Sequence, residues 1–461
     1  MRALCDPCTR LSGGLEAIRR QYSVPEAFPA EVLEVAERNA RRSPEAHTDR
    51  TDRPFVTLDP ATSTDLDQAF ALERSGSDLL LHYAIADIAW FVDDGDPVDS
   101  EAWRRGATLY LPDGKAPLYP PVLSQGVASL LPDGPRPAVI FTVRVAPDGE
   151  VRLDSAERAV IRSRAKLAYD AVREEDLPPD FPELSRRIQA AEARRGAKRV
   201  DPPQQEVVEL EQGRFSLDFR PMRESERNNA AMSLAANLAI ADLLAEHRTG
   251  LFRVMAEPDE RAVQRLRQTA RAFRIEWPAP MPLESLERIL DPDEPRQAAL
   301  MLAIRRAGPP ASYLPWKDDE RPWHAAMAAT YAHATAPLRR LADRYVVMAT
   351  LAIANGDPVP ESAEQAFPRL PKVMAKADTL ASQIDRAVVD LAEAVMLEPR
   401  IGETFAAIVT DSDQRGVRVQ LRDLPVVARV SANKVQPGDE LVLKLVAADA
   451  GKRAISFQRL A

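Results

Sequence analysis

Strand-forming and helix-forming segments are segregated along this chain, and that ordering limits the fold more than any single motif does. Residues 54–162 carry β signals. Phe55-Val56-Thr57-Leu58, Ala69-Phe70-Ala71-Leu72 and the run 79–92 are rich in strand formers, and the segments 138–145 and 151–160 flank an Asp148-Gly149 turn. Residues 163–398 read as helical. Helices are expected over 166–173, 184–198, 228–246, 260–274, 284–289, 296–306, 325–331, 338–355 and 374–397, most of them bounded by proline. After Glu398-Pro399-Arg400-Ile401-Gly402 the pattern returns to short strands, at 405–410, 417–421, 426–430, 440–447 and 454–458. Five strands in so short a segment match the count of an OB-fold barrel. Ahead of the first β region, Leu15, Ile18, Val32, Val35 and Ala36 fall in two amphipathic stretches split by Pro25 and Pro29, a small helical unit that could be a helix-turn-helix. The expected fold class is α+β: a helical module over 1–50, a mixed β-then-α domain over 51–398, and a C-terminal barrel over 399–461.

A length of 461 residues is enough for several lobes, and no apolar run reaches the roughly 20 residues that span a bilayer. The first residues lack the pattern of a secretion signal, so a soluble, cytoplasmic, monomeric protein with no membrane partner is expected. Cys5 and Cys8 are the sole cysteines. They exclude a disulfide framework, have no second pair for a zinc ribbon, and read as incidental thiols. A net charge of −9 is the wrong sign for a protein that binds nucleic acid through a global field. Residues 400–461 differ, with 10 Lys/Arg against 7 Asp/Glu. That basic segment suits a nucleic-acid module, with a protein-contact barrel as the alternative.

The densest chemistry lies in Thr57-Leu58-Asp59-Pro60-Ala61-Thr62-Ser63-Thr64-Asp65-Leu66-Asp67-Gln68-Ala69. Asp59 ends a strand, and a polar loop returns Asp65 and Asp67. Carboxylates on a short loop suit a hard cation such as magnesium, which keeps water and phosphate as further ligands. Asp, Ser and Thr also cluster in ordinary turns, so spacing alone leaves that reading open. A calcium loop fails for want of the glycine and the closing glutamate. A second cluster is Tyr331-Ala332-His333-Ala334-Thr335-Ala336-Pro337-Leu338-Arg339-Arg340-Leu341-Ala342-Asp343. Pro337 is placed to open a helix, with Arg339 and Arg340 in its first turn, where an anion could bind; an Arg339–Asp343 ion pair is the competing reading.

The acidic loop resembles the signature of the RNase II/RNase R (RNB) exoribonuclease family, a strand ending in Asp-Pro followed by Asp-x-Asp-Asp-Ala. The second cluster is similar to the family's Tyr-x-His-x-Thr-Ser-Pro-Ile-Arg-Arg pattern. Between and around them, Ala84-Ile85-Ala86-Asp87-Ile88, Tyr110-Leu111-Pro112, Leu123-Ser124 with Ser129-Leu130, and Leu251-Phe252-Arg253-Val254 also match, in family order. The resemblance covers residues 26–461. It implies a processive 3′-to-5′ exoribonuclease that hydrolyses single-stranded RNA to nucleoside monophosphates with magnesium, or alternatively manganese, in a channel. By match, Asp59, Asp65, Asp67 and Gln68 would be metal ligands, with Asp67, Asp65 and Arg339 catalytic. Tyr110 would stack on the RNA end, and His333, Thr335, Arg340 and Asp385 would contact substrate.

The chain departs from the family in four places. Gln68 stands where a fourth aspartate is usual, and Ala336 replaces a serine. Residues 227–232 lack paired glutamates, and about 50 N-terminal residues stand where two cold-shock domains are usual, so an RNA entrance built differently is expected, and a more open one would change the tolerance for duplexes. Gln68 also motivates the alternative, a catalytically weak RNA-binding protein of the same fold. An unrelated α+β scaffold with an OB-like tail is the third reading.

Overall fold

A computed structural model describes residues 2–3, 10–197, 204–209, 215–220, 222–291, 294–317, 320–413, 416–432 and 435–460. Cys5 and Cys8 lie outside the described residues. The chain opens with β1 (Arg2–Ala3), α1 (Arg10–Gln21) and α2 (Ala30–Asn39). The two helices bury their apolar faces in different places. Val32, Val35 and Ala36 of α2 join the largest core, whereas Leu11, Leu15 and Ile18 of α1 join a second one.

The main sheet is built from β2 (Thr48–Asp49), β3 (Phe55–Asp59), β4 (Gln68–Ser75) and β5 (Asp78–Ala86), interrupted by α3 (Pro97–Arg105) and the small hairpin β6 (Leu109–Leu111) and β7 (Gly114–Ala116), and completed by β8 (Arg136–Val145), β9 (Val151–Ile161) and β10 (Ser163–Ala168). Its spatial order is β10-β3-β4-β5-β8-β9-β2, antiparallel except for the two edge pairs β10 with β3 and β2 with β9. The Asp148-Gly149 turn joins β8 and β9 as the sequence predicts. Gly149 has φ +79°, and a Cβ there would lie 2.2 Å from the Arg187 carbonyl oxygen, so only glycine fits. The expected helix at 166–173 is instead the end of β10 followed by a turn. Lys166, Leu167 and Ala168 pair in parallel with Thr57, Leu58 and Asp59, and this tertiary pairing overrides a helical propensity that is only moderate. Asp96 caps α3 by accepting from the Asp99 amide at 2.7 Å, with Pro97 at its first position.

Beyond the sheet come α4 (Phe181–Arg195), the hairpin β11 (Gln204–Glu209) and β12 (Phe215–Arg220), and α5 (Glu224–Glu246). β12 also pairs with β1, making a three-stranded sheet that periodicity did not predict. Helix α5 is buried nearly all round, from Ala231 to Ala245, because sheet strands, α4 and a later helix enclose it. Next follow β13 (Leu251–Val254), α6 (Glu260–Ala272), α7 (Leu283–Glu287), α8 (Pro295–Ala307) and β14 (Ser312–Pro315), where β13 and β14 pair antiparallel across the three helices in another unpredicted sheet. The three helices keep a small core of their own around Leu266, Phe273, Leu286 and Leu300. The helix expected at 325–331 is a single 3-10 turn, Ala325–Met327.

The helical region ends with α9 (Leu341–Ala354), α10 (Glu361–Ala366) and α11 (Leu370–Leu397). Met374, Ala377, Ile384, Val388, Leu391 and Val395 run along α11 at helical spacing and are buried. The C-terminal strands are β15 (Thr404–Asp413), β16 (Gly416–Leu421), β17 (Val427–Val430), β18 (Glu440–Asp449) and β19 (Ala454–Arg459), in order β17-β16-β15-β18-β19. β17 lies beside β19, so the sheet curls into the near-closed five-stranded barrel expected from the strand count. Its inward residues alternate, as in Leu441, Leu443 and Leu445, and Leu397 from the end of α11 enters the same core. Among the described residues no helix is long and apolar enough to cross a membrane.

Candidate active site

The acidic loop connects β3 to β4 and is held by the segment that follows the β6–β7 hairpin. Ser129 receives the Leu66 amide on its hydroxyl oxygen at 2.9 Å and donates to the Thr64 carbonyl at 2.8 Å, while the Leu130 amide donates to the Leu66 carbonyl. These bonds account physically for the Ser129-Leu130 motif. The Lys166 ammonium reaches the Ala61 carbonyl at 2.8 Å, so β10 braces the other side.

Asp67 is 5% exposed. Its Oδ1 accepts from the Leu338 backbone amide at 2.6 Å, and its Oδ2 lies 3.3 Å from Arg339 Nε. Burial pushes its carboxyl up to about 7, against the pull of Arg339 and the Leu338 amide. Asp59 is pushed up to about 6, also by burial, and its Oδ2 is buried without a hydrogen-bond partner. Asp65 is engaged by Lys115 of β7 and lies 3.4 Å from the Tyr110 hydroxyl. Lys115 was not singled out in the sequence, and no local signal marks it; the β6–β7 hairpin alone brings it to the loop.

Arg339 is not in the first turn of a helix. Helix α9 starts at Leu341, and residues 331–340 form an irregular segment pinned from both sides. Gly106, at φ +73°, ends α3; its carbonyl accepts from the Leu341 amide at 3.0 Å, and the Thr108 amide donates to the Arg339 carbonyl at 3.0 Å. Asp343, fully buried, accepts from the Ala336 amide at 2.8 Å and from Arg340 Nη2 at 2.8 Å. The ion pair in this motif therefore joins Arg340 to Asp343. Arg339 is left half-exposed, facing Asp67. The tight turn that starts at Pro337 does not run on into α9, because Arg340 is extended (φ −134°, ψ 120°) and the Leu341 amide, which would bond back to the Pro337 carbonyl, goes to Gly106.

The cavity beside these groups has a volume of about 740 Å³ and is lined in part by Gln68, Tyr110, Asn229, Arg339 and Asp385. Arg220 and Glu206 of the β11–β12 hairpin also face it, and sequence periodicity did not reveal them. Burial raises the Asp385 carboxyl above its ordinary value. The three other expected contact residues form a layer behind the cavity wall. His333 Nδ1 pairs with the Tyr313 hydroxyl at 2.9 Å, and burial keeps the imidazole neutral. Thr335 bonds Ser233 at 2.9 Å rather than capping a helix, and Arg340 is held by Asp343. Asn229, in the segment without paired glutamates, donates to the Tyr169 hydroxyl at 2.7 Å and to the Leu58 carbonyl at 3.2 Å, tying α5 to the strand that ends in Asp59.

No group of three or more His, Cys, Asp or Glu side chains is drawn together as a ready metal cage among the described residues. The donors nevertheless suit a hard cation. Asp59 carries a buried oxygen without a partner, and Asp59 and Asp67 are desolvated carboxyls whose charged forms need positive charge nearby.

Comparison with known proteins agrees with this layout. Residues 47–355 match the RNB domain model, and residues 403–460 match the RNase II-type exonuclease C-terminal S1 domain model. Ribonuclease R of Aquifex aeolicus is 27% identical over 473 residues, covering 95% of this chain and 66% of the relative; that of Thermotoga maritima is 26% identical, covering 88% and 61%. The chain thus spans slightly under two thirds of the length of these relatives. In structure it is similar to Mycoplasma genitalium RNase R in complex with ribose methylated single-stranded RNA, with a TM-score of 0.87 at 20% identity, covering all of this chain and 79% of the other. It is also similar to yeast Ssd1, a pseudonuclease, with a TM-score of 0.69 at 15% identity, covering 95% and 57%.

Proposed function

Because this chain belongs to the RNB family, we propose that it is a magnesium-dependent 3′-to-5′ exoribonuclease that processively hydrolyses single-stranded RNA to nucleoside monophosphates. The observation that carries the reading is the meeting of Asp67 with Leu338 and Arg339. Two motifs 271 residues apart set a carboxylate against a guanidinium that lines a cavity. Asp59, Asp65 and Asp67 would hold the metal, magnesium or alternatively manganese. When bound, it supplies a water of lowered pKa and charge for the leaving oxygen.

The protein's own groups do the rest. Arg339 offers a planar fork of donors to the phosphate at the 3′ end and neutralises charge that develops on its oxygens. The Leu338 amide fixes the Asp67 carboxylate in one orientation. Lys115 holds Asp65 in place and offsets its charge in a wall rich in carboxylates. Tyr110, half-exposed at the cavity, offers a face on which the terminal base can stack. The barrel, basic in its own sequence, offers a second RNA-binding surface, and RNase R of Mycoplasma genitalium has been seen with single-stranded and with double-stranded RNA. The likeness to a pseudonuclease keeps the second reading, an RNA-binding protein without turnover, open to test.

The test is a digest of 5′-labelled single-stranded RNA with magnesium and with EDTA, beside Asp67→Asn. Shortening from the 3′ end that needs magnesium and is lost in the variant is expected. RNA binding without cleavage by the wild-type protein would establish the second reading.

A further inference from the structure

Gln68 opens β4 at the cavity wall, and its two polar atoms are in different situations. Oε1 accepts from the Tyr83 hydroxyl at 2.6 Å. The Tyr83 ring is fully buried, so its hydroxyl is held in place against Gln68. Ser233, which also lines the cavity, bonds Thr335 at 2.9 Å. The bond from Tyr83 turns the Gln68 amide with its oxygen toward the protein. Its Nε2 has no acceptor among the described residues and is not a buried atom, while Gln68 lines the cavity together with Arg339 and Tyr110.

The chemistry of the acidic loop next to Gln68 gives this orientation a purpose. Asp59, Asp65 and Asp67 are acceptors when charged, and they repel an incoming phosphate. A phosphodiester seated here needs donors, and Arg339 supplies them from one side. A primary amide is a donor without charge, so it adds a contact without competing for the cation.

We propose that the Gln68 amide nitrogen donates to a non-bridging oxygen of the terminal phosphodiester, positioning the RNA 3′ end opposite Arg339, and that Gln68 is not a metal ligand. The proposal rests on the exoribonuclease reading of the cavity. It also gives Tyr83 a role: the phenol commits the Gln68 carbonyl oxygen to the protein, so the nitrogen is the atom presented to substrate.

The experiment measures binding of short 5′-labelled RNA by fluorescence anisotropy in EDTA, in an Asp67→Asn background that cannot cleave it. Three RNAs are compared: native, with a methylphosphonate in either stereoisomer at the terminal linkage, and with a terminal 2′-deoxyribose. Adding Gln68→Ala is expected to weaken native and 2′-deoxy RNA by about tenfold, the value of one hydrogen bond to a charged partner, and to leave at least one methylphosphonate isomer unaffected. Tyr83→Phe should show the same selectivity with a smaller loss. Manganese affinity, measured by electron paramagnetic resonance on the protein with Asp67 intact, should not change in Gln68→Ala. Equal losses on native RNA and both methylphosphonates, a loss that disappears with the 2′-hydroxyl, or a fall in manganese affinity would each overturn the proposal. If the wild-type protein cleaves RNA while Gln68→Ala binds it normally, this inference alone fails. If the wild-type protein neither binds nor cleaves RNA, the exoribonuclease reading fails with it.

Discussion

The Leu338 amide donates to Asp67 Oδ1 at 2.6 Å, so the carboxylate of the first motif is oriented by the backbone of the second. An asparagine at 67 keeps an acceptor for that amide but loses the charge. Asp67→Asn should therefore fold normally, with thermal stability at pH 8 equal to or above the wild type, since a desolvated charge is removed. Its kcat should fall by about 10³-fold or more, as for loss of a group that acts at the reacting centre. A variant with a lowered melting temperature and proportionate activity loss would instead assign Asp67 a structural role.

Arg339 is the half-exposed member of the arginine pair, and Arg340 is partly buried. Arg339→Ala should lower kcat/KM by about 10²- to 10³-fold without lowering stability. Arg339→Lys should recover less than a tenth of the loss, because an ammonium cannot reproduce the planar fork. Single-turnover digestion with circular dichroism melts checks both; full rescue by lysine would show that charge alone suffices.

The strands of the main sheet and of the barrel were legible because alternation and turn residues report locally. In β18, buried Leu441, Leu443 and Leu445 alternate with exposed Val442 and Lys444, and a slip of one residue would turn the leucines out to water. The acidic loop and Arg339 were legible from motif chemistry. What stayed hidden depends on pairing across the chain. β10 is a strand because β3 lies beside it, and the β11–β12 hairpin and Lys115 reach the site only through tertiary contacts. Helical pattern also misplaced the start of α9. The Leu341 amide that would have closed its first turn goes to the Gly106 carbonyl instead, and no window around Pro337 contains that partner.

Buried Asp343 and partly buried Arg340 form a pair that holds the Arg339 segment, with Asp343 also receiving the Ala336 amide. Asp343→Ala leaves a partly buried guanidinium and a buried amide without this acceptor. It should cost about 3–5 kcal/mol by urea denaturation. Adding Arg340→Met removes the stranded charge and should restore part of that stability but little activity, since the Ala336 amide remains unpaired and Arg339 loses its support. Additive losses in the double variant would show that the two side chains act independently.

Glu393 links three parts of the fold from α11: its Oε1 accepts from Gln205 Nε2 of β11 at 2.7 Å and from the Val427 amide of β17 at 2.9 Å. Burial pushes its carboxyl from the ordinary 4.5 up to about 7, against these two donors and Arg386, with Asp390 adding to the rise. The folded protein thus keeps a proton that the unfolded chain releases near pH 4.5. The stability this group contributes is fully present below pH 4.5 and is lost as pH rises to about 7. The loss is about 3 kcal/mol at most, because Glu393 is 2% exposed and little screened. Glu393→Gln keeps an acceptor for both donors and has no proton to lose. Its unfolding free energy should lack this fall between pH 4.5 and 7, and at pH 8 it should exceed the wild type by about 1–3 kcal/mol. Urea titrations across that range decide it. Parallel pH profiles for the two proteins would mean that Glu393 is charged in the folded state, with the junction of α11, β11 and the barrel open to water.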